Sequence, residues 1–191
     1  MVASARVEAI QIARERLQSN PVYLDTETTG TDPVDMIVEI AIVDDAGVVL
    51  ADTLVKPVGR ISPGAMAVHG ITDAMVKEAR RWSEVWPEIE AILAGRVVGI
   101  YNAEFDLRMM QQSHARNWIQ WTPPQGMDAF CMMRLYAQFY GEWNPQRGNY
   151  RWQSLDNAGK QSRIPLPNSH RAKDDALLTR ALLHYMAKQR A

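Results

Sequence analysis

The most informative segment of the chain is Val22-Tyr23-Leu24-Asp25-Thr26-Glu27-Thr28-Thr29-Gly30, where a short apolar run changes abruptly into acidic and small polar residues. An apolar run bounded in this way predicts a buried strand. Asp25 and Glu27 are two positions apart, so their side chains should leave the same face of that strand. Taken alone, Asp25 and Glu27 also fit two solvated turn residues. Whether they form a functional site therefore has to be judged from the rest of the chain.

The residues around this segment predict the first half of a mixed α/β sheet. Apolar residues at helical spacing over residues 1–20 predict an amphipathic helix that ends at Pro21. Runs rich in β-branched residues at 37–43 and 48–55 flank Asp44-Asp45-Ala46-Gly47, which is typical of a hairpin turn. The sheet should therefore begin with antiparallel neighbours.

The second half of the chain alternates strands with helices. Residues 57–70 and 141–151 are rich in turn-forming or polar residues and are predicted to be loops. We predict a helix over 83–93 and a strand over 97–100, followed by a helix that ends near 116. Two more helices are predicted, one over 127–140 with Asp128 in its first turn and one over 171–188. No repeat or linker divides the sequence, so we predict one α/β domain over residues 1–191.

Composition and charge exclude several classes of protein. The 191 residues are 47% apolar, and 21 basic against 22 acidic residues give a net charge of −1. A near-neutral chain is not a cationic coat for nucleic acid, although it can still hold a few phosphates in a small site. The single cysteine, Cys131, cannot form an internal disulfide, and the charged residues among 1–20 fit neither a signal peptide nor a membrane span. We therefore expect a soluble, cytoplasmic protein without a membrane partner.

Two later segments place further acids next to the ends of predicted elements. Asp106 follows the apolar strand at 97–100, and Asp175 follows His170 at the start of the last helix. Each has a plain alternative, because an acid in the first turn of a helix complements the helix dipole. His170 alone fits an exposed loop histidine.

Together, Asp25, Glu27, Asp106 and Asp175 predict a metal site. Clustered carboxylates repel one another without cations, and their oxygens suit Mg²⁺ or Mn²⁺. Two such ions can activate a water and stabilise the leaving oxygen in phosphodiester cleavage. Histidine ordinarily titrates near working pH, which makes His170 the candidate proton acceptor. A single cysteine and the lack of paired histidines argue against a soft-metal site.

The motifs D-x-E-T-T-G, V-H-G-I-T, N-A-x-F-D and H-x-A-x-x-D-A occur in this order along the chain. In this combination the chain closely resembles the DnaQ-like DEDDh 3′–5′ exonuclease family, which has a ribonuclease H-like fold. The resemblance extends over residues 22–185 and leaves the N-terminal helix at 1–20 outside the motif-bearing core. It implies an α/β fold with a mixed sheet, three antiparallel strands and then parallel strands, flanked by helices.

The resemblance also implies a role for each site residue. Asp25, Glu27, Asp106 and Asp175 would be the metal-site acids, and His170 the general base. One ion would be held by Asp25, Glu27 and Asp175. The second would also use Asp25, with Asp106 acting largely through water. His170 would deprotonate the water that attacks the 3′-terminal phosphodiester, so that a 5′-mononucleotide leaves.

Candidate substrate contacts come from the same motifs and are expected around the 3′-terminal nucleotide, where glycine permits close approach of the backbone. His69 also fits a turn residue that is hydrogen-bonded within its own loop, and Phe105 also fits the helix core. Glu39, in the second predicted strand, is expected to support the site rather than to be catalytic. The candidate contacts are Thr28, Thr29, Gly30, Val68, His69, Asn102 and Phe105.

The segment 117–152 departs from the family in its aromatic content, which comprises Trp118, Trp121, Trp143, Tyr150 and Trp152. These rings fit either a stacking platform for the bases of a single-stranded 3′ end or a satellite hydrophobic cluster under a long loop. The lack of an accompanying basic run favours the cluster. Scattered candidates for phosphate contacts are Arg147, Arg151, Lys160 and Arg163.

The resemblance predicts an exonuclease that uses two divalent cations, Mg²⁺ or Mn²⁺, on a single-stranded or frayed 3′ end, with DNA favoured over RNA. Alternatives are a proofreading or trimming subunit that depends on a polymerase or other processing partner, an RNA-trimming exoribonuclease, and an inactive protein that binds ends. The intact acids and His170 argue against the inactive protein, and the position of His170 argues against an endonuclease of the same fold. The N-terminal helix either docks a partner or a second copy, or covers the sheet edge.

Overall fold

The computed structural model describes residues 2–190, which are built around one main sheet. In chain order its strands are β1 (Val22–Thr28), β2 (Ile37–Asp44), β3 (Val49–Lys56), β4 (Arg80–Arg81), β5 (Val97–Ile100) and β6 (Asp128–Cys131). Their spatial order is β4-β3-β2-β1-β5-β6. The strand that carries Asp25 and Glu27 therefore lies inside the sheet, with a partner on each side.

The pairing directions confirm the predicted mixed sheet. β1 pairs antiparallel with β2, and β2 pairs antiparallel with β3, whereas the β1–β5 and β5–β6 pairs are parallel. Parallel neighbours are joined by crossovers, which return the chain to the same end of the sheet. The ends of β1 and β5 therefore lie at one end of the sheet, where the acids are expected.

Helices cover both faces of this sheet. Those among residues 2–190 are α1 (Val2–Gln18), α2 (Pro63–His69), α3 (Asp73–Val76), α4 (Trp82–Leu93), α5 (Ala103–Arg116), α6 (Met132–Tyr140), α7 (Leu155–Gln161) and α8 (Ala172–Lys188). The helices predicted near the N-terminus, at 83–93, before 116 and at 171–188 are confirmed. Over the same range, no helix has both the length and the apolar character needed to cross a bilayer.

Alternate residues of β1 belong to two different cores. Tyr23 packs in a cluster with residues of α1, α6 and α8, whereas Val22 and Leu24 pack in a cluster with residues of α4 and α5. All three side chains are fully buried. Because side chains alternate along a strand, the residues that follow Leu24 are directed in turn towards α8 and towards α5.

The N-terminal helix completes the first of these cores. Ala9, Ile10 and Ala13 are fully buried in the cluster that α1 shares with α6 and α8. The Arg6 guanidinium donates a hydrogen bond to the Phe139 carbonyl in α6 at 2.8 Å. The apolar side of α1 is thus buried against other helices of the chain.

The prediction of one helix over 127–140 is wrong. Asp128–Cys131 form β6, which pairs in parallel with β5, and α6 begins at Met132. The sequence after residue 131 has helical periodicity, and the prediction extended this helix back over residues that form a short strand. That strand forms hydrogen bonds with residues 97–100, which are distant in the sequence. Asp128 begins that strand, and its carboxylate pairs with Arg16 of α1.

Two predicted loops contain regular structure. Within 57–70, α2 is capped by the Ser62 hydroxyl, which accepts a hydrogen bond from the Ala65 N–H at 3.1 Å. Serine followed by proline is an N-cap signal that the sequence contains. Within 141–151, β7 (Trp143–Asn144) and β8 (Asn149–Tyr150) form a small hairpin.

Candidate active site

Three carboxylates meet where β1 ends and α8 begins. Asp25 and Glu27 follow Tyr23 in the strand alternation and so lie on the α8 side of β1. Asp175 lies in the first turn of α8, which packs across β1 and β2. One carboxylate oxygen from each of Asp25, Glu27 and Asp175 lies within 4.8 Å of the others. The fold therefore brings these predicted acids together.

Asp106 reaches the same strand end from the opposite face of the sheet. It is buried in the first turn of α5, and its Oδ1 accepts a hydrogen bond from the Thr26 hydroxyl at 2.7 Å. Thr26 lies between Asp25 and Glu27, so its side chain is directed to the α5 side. Thr26 is not among the residues predicted for the site, although its place between two acids is the signal that identifies it.

Burial and mutual repulsion hold protons on these acids. Burial, followed by the charges of Asp106 and Asp175, raises the pKa of Asp25 well above its ordinary value. Burial is also the main cause that raises the pKa of Glu27 to about 8 and the pKa values of Asp106 and Asp175 to about 7. Full ionisation of such a cluster requires cations close by.

The donor set fits divalent cations that prefer oxygen ligands. Carboxylates are the side chains that Mg²⁺ and Mn²⁺ favour. The Oδ1 atom of Asp175 is buried and has no hydrogen-bond partner among residues 2–190, although buried polar atoms are normally paired. A cation held with Asp25 and Glu27 would satisfy this oxygen and offset the repulsion among the three acids.

His170 lies in the turn that leads into α8. Its backbone φ of 52° falls in the left-handed region, which histidine adopts more readily than most residues. The backbone N–H groups of Ser169 and His170 lower the pKa of the Asp175 carboxyl, against the larger opposite effect of burial. The His170 ring is exposed. The backbone of this turn therefore lies near Asp175, and the imidazole remains accessible from solvent.

A buried carboxylate fixes the turn that carries His170. Glu39 in β2 lies opposite Glu27 in the register of β1 and β2. It accepts hydrogen bonds from Nε of Arg171 at 3.1 Å and from the Ala172 backbone N–H at 2.9 Å. Glu39 thus holds the two residues that follow His170, in line with the supporting role expected for it. Arg171 was missed, although its place beside His170 is a usable signal.

A cleft with a volume of about 470 Å³ opens beside the acids. This volume is within the range usual for small-molecule sites, about 300–1,000 Å³. The end of β1, the loop after it, α2 and the first turn of α5 form its walls. The predicted site residues that line it are Glu27, Thr28, Gly30, Val68, His69 and Phe105.

The His69 ring is buried, and both of its nitrogens are bound within the protein. Nδ1 accepts a hydrogen bond from the Ile71 N–H at 3.0 Å, so Nε2 carries the proton and donates to the Thr28 carbonyl at 3.0 Å. Burial lowers the pKa of His69, which favours this neutral form. His69 therefore holds its own loop against β1. Because both nitrogens are occupied, only the carbon atoms of the ring can contact a ligand in the cleft.

Three further predicted contacts have different surroundings. The buried Thr29 hydroxyl donates to Asp35 at 2.6 Å and accepts from the Met36 N–H at 3.1 Å. A Cβ atom at Gly30 would lie 2.5 Å from Asp35 Oδ2, so this loop itself requires glycine there. Asn102 is the residue directly before α5; it has a φ of 62° and does not belong to the lining of the cleft.

Known proteins share this sequence pattern. Residues 22–183 match the family model described as Exonuclease (RNase_T). The chain is similar to the uncharacterized exonuclease CP81 of Escherichia phage 186, with 33% identity over 185 residues that cover 93% of each protein. It is also 30% identical to the DNA polymerase III subunit epsilon of Treponema pallidum over 174 residues, which cover 86% of this chain and 77% of that one.

A solved structure shares the fold. The structure of Exonuclease X in complex with 5′ overhanging duplex DNA matches with a TM-score of 0.63 and 29% identity, covering 86% of this chain and 90% of that chain. The region matched by the family model contains the clustered acids, Asp106 and His170.

Proposed function

Because this chain belongs to the exonuclease family, we propose that it is a metal-dependent 3′–5′ exonuclease that releases 5′-mononucleotides from single-stranded or frayed ends. The observation that carries the proposal is the approach of carboxylate oxygens of Asp25, Glu27 and Asp175 to within 4.8 Å of one another, with one buried oxygen of Asp175 that has no partner within residues 2–190. The preference for DNA over RNA is supported by the likeness to Exonuclease X, whose structure contains DNA.

The acids would hold two divalent cations, Mg²⁺ or Mn²⁺. When bound, such ions lower the pKa of a water and stabilise charge on the leaving oxygen. Asp25, Glu27 and Asp175 would hold one ion. The second would share Asp25, and Asp106, fixed by Thr26, would act on it largely through water.

His170 would accept the proton of the attacking water and pass it to solvent. The accessible ring at the start of α8 supports this role, because a general base must exchange protons between turnovers. The terminal nucleotide would occupy the cleft beside the acids. The residues that would contact it there are Thr28, Gly30, Val68, His69 and Phe105.

Digestion of matched single-stranded DNA and RNA with a 5′ label tests this function. With Mg²⁺ or Mn²⁺ we expect a ladder that shortens from the 3′ end, faster for DNA than for RNA, and no products in EDTA. A blocked 3′ end should prevent the ladder, and a circular strand should stay intact. Cleavage of the circle, or loss of nucleotides from the 5′ end first, would contradict the proposal.

Similarity to a DNA polymerase III epsilon subunit favours one further candidate function, that of a proofreading or trimming subunit. In that case the isolated chain would bind 3′ ends but release nucleotides slowly until a polymerase partner is added. The same digest, carried out with and without the polymerase, distinguishes this function from an enzyme that acts alone.

Glu39→Gln is expected to lower kcat by about 10- to 100-fold, which is the usual effect of losing a group that orients a site residue. The amide keeps an acceptor for the Ala172 N–H but loses the charge that anchors Arg171. The rate of the end-label digest and the affinity for Mn²⁺ would be measured on the same preparation.

Asp52→Asn is the matched control for this variant. It removes the exposed ion pair between Asp52 and Lys173, 3.5 Å apart, which lies at the start of the same helix. Exposed ion pairs contribute little to stability, so the Asp52→Asn control should retain the wild-type rate. A wild-type rate in Glu39→Gln would show that the buried carboxylate does not position the turn.

A further inference from the structure

We propose that the β7–β8 hairpin and the adjoining face of α6 form a stacking platform for the single-stranded part of the nucleic-acid substrate, upstream of its terminal nucleotide. This inference rests on the proposed function, because it assigns a site to the strand whose 3′ end would enter the cleft. The surface, called here the hairpin platform, is defined by Trp143, Tyr150 and Trp152 together with Arg134 and Arg147.

The hairpin holds two of these rings in a fixed arrangement. Trp143 pairs with Tyr150 across the two strands, and their ring centroids lie 5.1 Å apart at an interplanar angle of 76°. The Gly148 N–H closes the turn by donating to the Asn144 carbonyl at 2.9 Å, with a φ of 63° that favours glycine. An edge-to-face pair of this kind keeps its rings in place before a ligand arrives.

The two tryptophan rings of the platform are exposed, whereas those of a hydrophobic cluster would be covered; Tyr150 is half-buried. Trp143 is 48% exposed and Trp152 is 53% exposed. With Tyr150 they line a groove of about 400 Å³ against α6. Trp121, in contrast, packs on Trp86 with a centroid distance of 5.7 Å. The hydrophobic cluster favoured for the rings of segment 117–152 is confirmed for Trp121 and wrong for Trp118, Trp143 and Trp152, which are exposed.

Guanidinium groups surround these rings. Arg147 and Arg151 line the outer side of the hairpin, and Arg134 lines the groove beside α6. Arg134 pairs with Glu104, and Arg151 pairs with Glu142, but all four side chains are largely exposed. Exposed ion pairs contribute little to stability, so the phosphates of a bound strand can replace Glu104 and Glu142 as partners of these arginines. The fold thereby places three guanidinium groups around the rings, although the sequence has no basic run here.

One hydrogen bond ties the platform to the catalytic end of the sheet. The Tyr101 hydroxyl donates to the Gln153 carbonyl at 2.9 Å, directly after Trp152. Tyr101 follows Ile100, the last residue of β5, which pairs with the residue before Asp25 in β1. The chain that carries Trp152 is therefore anchored beside the strand ends that present the acids.

The pair between Arg134 and Glu104 also shows that the groove lies next to the start of α5. Arg134 of α6 pairs with Glu104 in the first turn of α5. The same turn carries Phe105, which lines the active-site cleft, and Asp106. A strand whose end lies in the cleft can thus continue past the start of α5 onto the hairpin platform.

We assign a nucleic-acid strand rather than a protein partner to this surface because of its position. Arginine and aromatic side chains are enriched in protein interfaces as well, but Arg134 of this groove pairs with Glu104, which precedes Phe105 of the active-site cleft. An aromatic ring stacks on any base without reading its sequence. An enzyme that removes successive nucleotides requires that kind of contact.

Fluorescence anisotropy of a labelled oligothymidylate of about 16 nucleotides, in EDTA to prevent digestion, tests the platform. Trp143→Ala and Trp152→Ala are each expected to weaken binding at least about fivefold, the lower end of what loss of one stacked base costs. Trp152→Phe keeps a ring and should retain most of the binding. Arg147→Ala should weaken binding and reduce its dependence on salt.

Trp118→Ala is the matched control, because Trp118 is 97% exposed but does not line either groove of the hairpin. It should bind as the wild type does. Thermal unfolding identifies any variant that fails to fold; should Trp143→Ala fail, Trp152→Ala and Arg147→Ala carry the test. Wild-type binding by those two variants, or an equal loss in Trp118→Ala, would overturn the proposal.

Two results separate this inference from the proposed function. A wild-type chain that digests DNA from the 3′ end, with binding unaffected by Trp152→Ala and Arg147→Ala, overturns the platform alone. A chain that binds through the platform but releases no nucleotides with Mg²⁺ or Mn²⁺ supports the platform and overturns the proposed function.

Discussion

Asp175→Asn is expected to lower the rate of nucleotide release by on the order of a thousandfold and, at the same time, to raise the stability of the metal-free protein. The substitution removes a carboxylate that lies within 4.8 Å of Asp25 and Glu27 oxygens. A cation ligand is lost, and so is a buried negative charge that repels the other two. The end-label digest measures the rate, and thermal unfolding in EDTA measures the stability.

Asp174 provides a matched control one position away. Its carboxylate accepts a hydrogen bond from the Ser169 hydroxyl at 2.7 Å and lies outside the acid cluster. Asp174→Asn keeps an acceptor for Ser169, so its rate should stay within about threefold of the wild type. Equal losses in the two variants would overturn the specific role assigned to Asp175.

The metal-free protein is expected to lose on the order of a few kcal/mol of unfolding free energy between about pH 5 and about pH 8. In the folded state the pKa of Glu27 is raised to about 8, and those of Asp106 and Asp175 to about 7, chiefly by burial. Unfolded carboxyl groups release their protons near pH 4. Between about pH 4 and these raised values the native state binds more protons than the unfolded state, so its stability falls as pH rises.

Mg²⁺ or Mn²⁺ should reverse this decline, because the ions bind the ionised carboxylates of the native state. The stabilisation by metal is therefore expected to be small near pH 5 and large near pH 8, measured by thermal unfolding with and without metal. Asp25→Asn should flatten the pH dependence, since it removes one of the repelling charges. Metal-free stability that rises over this interval, or metal that stabilises equally at both pH values, would contradict a buried cation site.

The convergence of the acids was predictable from the sequence because it follows from local patterns. Asp25 and Glu27 lie at the end of the apolar strand β1. Asp106 lies in the first turn of the helix that follows β5, the parallel neighbour of β1, and Asp175 lies in the first turn of the last helix. Parallel strands bring such positions to one end of a sheet. The motifs also fixed the resemblance to the exonuclease family, which the match over residues 22–183 confirms.

The features that were missed depend on distant contacts. β6 has four residues and forms only because residues 97–100 supply hydrogen-bond partners. The pair between Glu39 and Arg171 joins residues 132 positions apart. A charged residue within the apolar strand 37–43 is a signal for such a partner, but it does not identify which one. The arginines beside the β7–β8 hairpin likewise come from separate elements, because Arg134 belongs to α6 and Arg147 to the hairpin.

Calorimetric titration of Mn²⁺ into the metal-free wild type and into Asp175→Asn, at about pH 8, tests the cation site most directly, because Asp175 is then largely ionised and Glu27 about half ionised. The predicted result is binding to the wild type, accompanied by release of protons, and a large loss of affinity in the variant. A wild type that binds no Mn²⁺, or a variant that binds it equally well, would contradict the account.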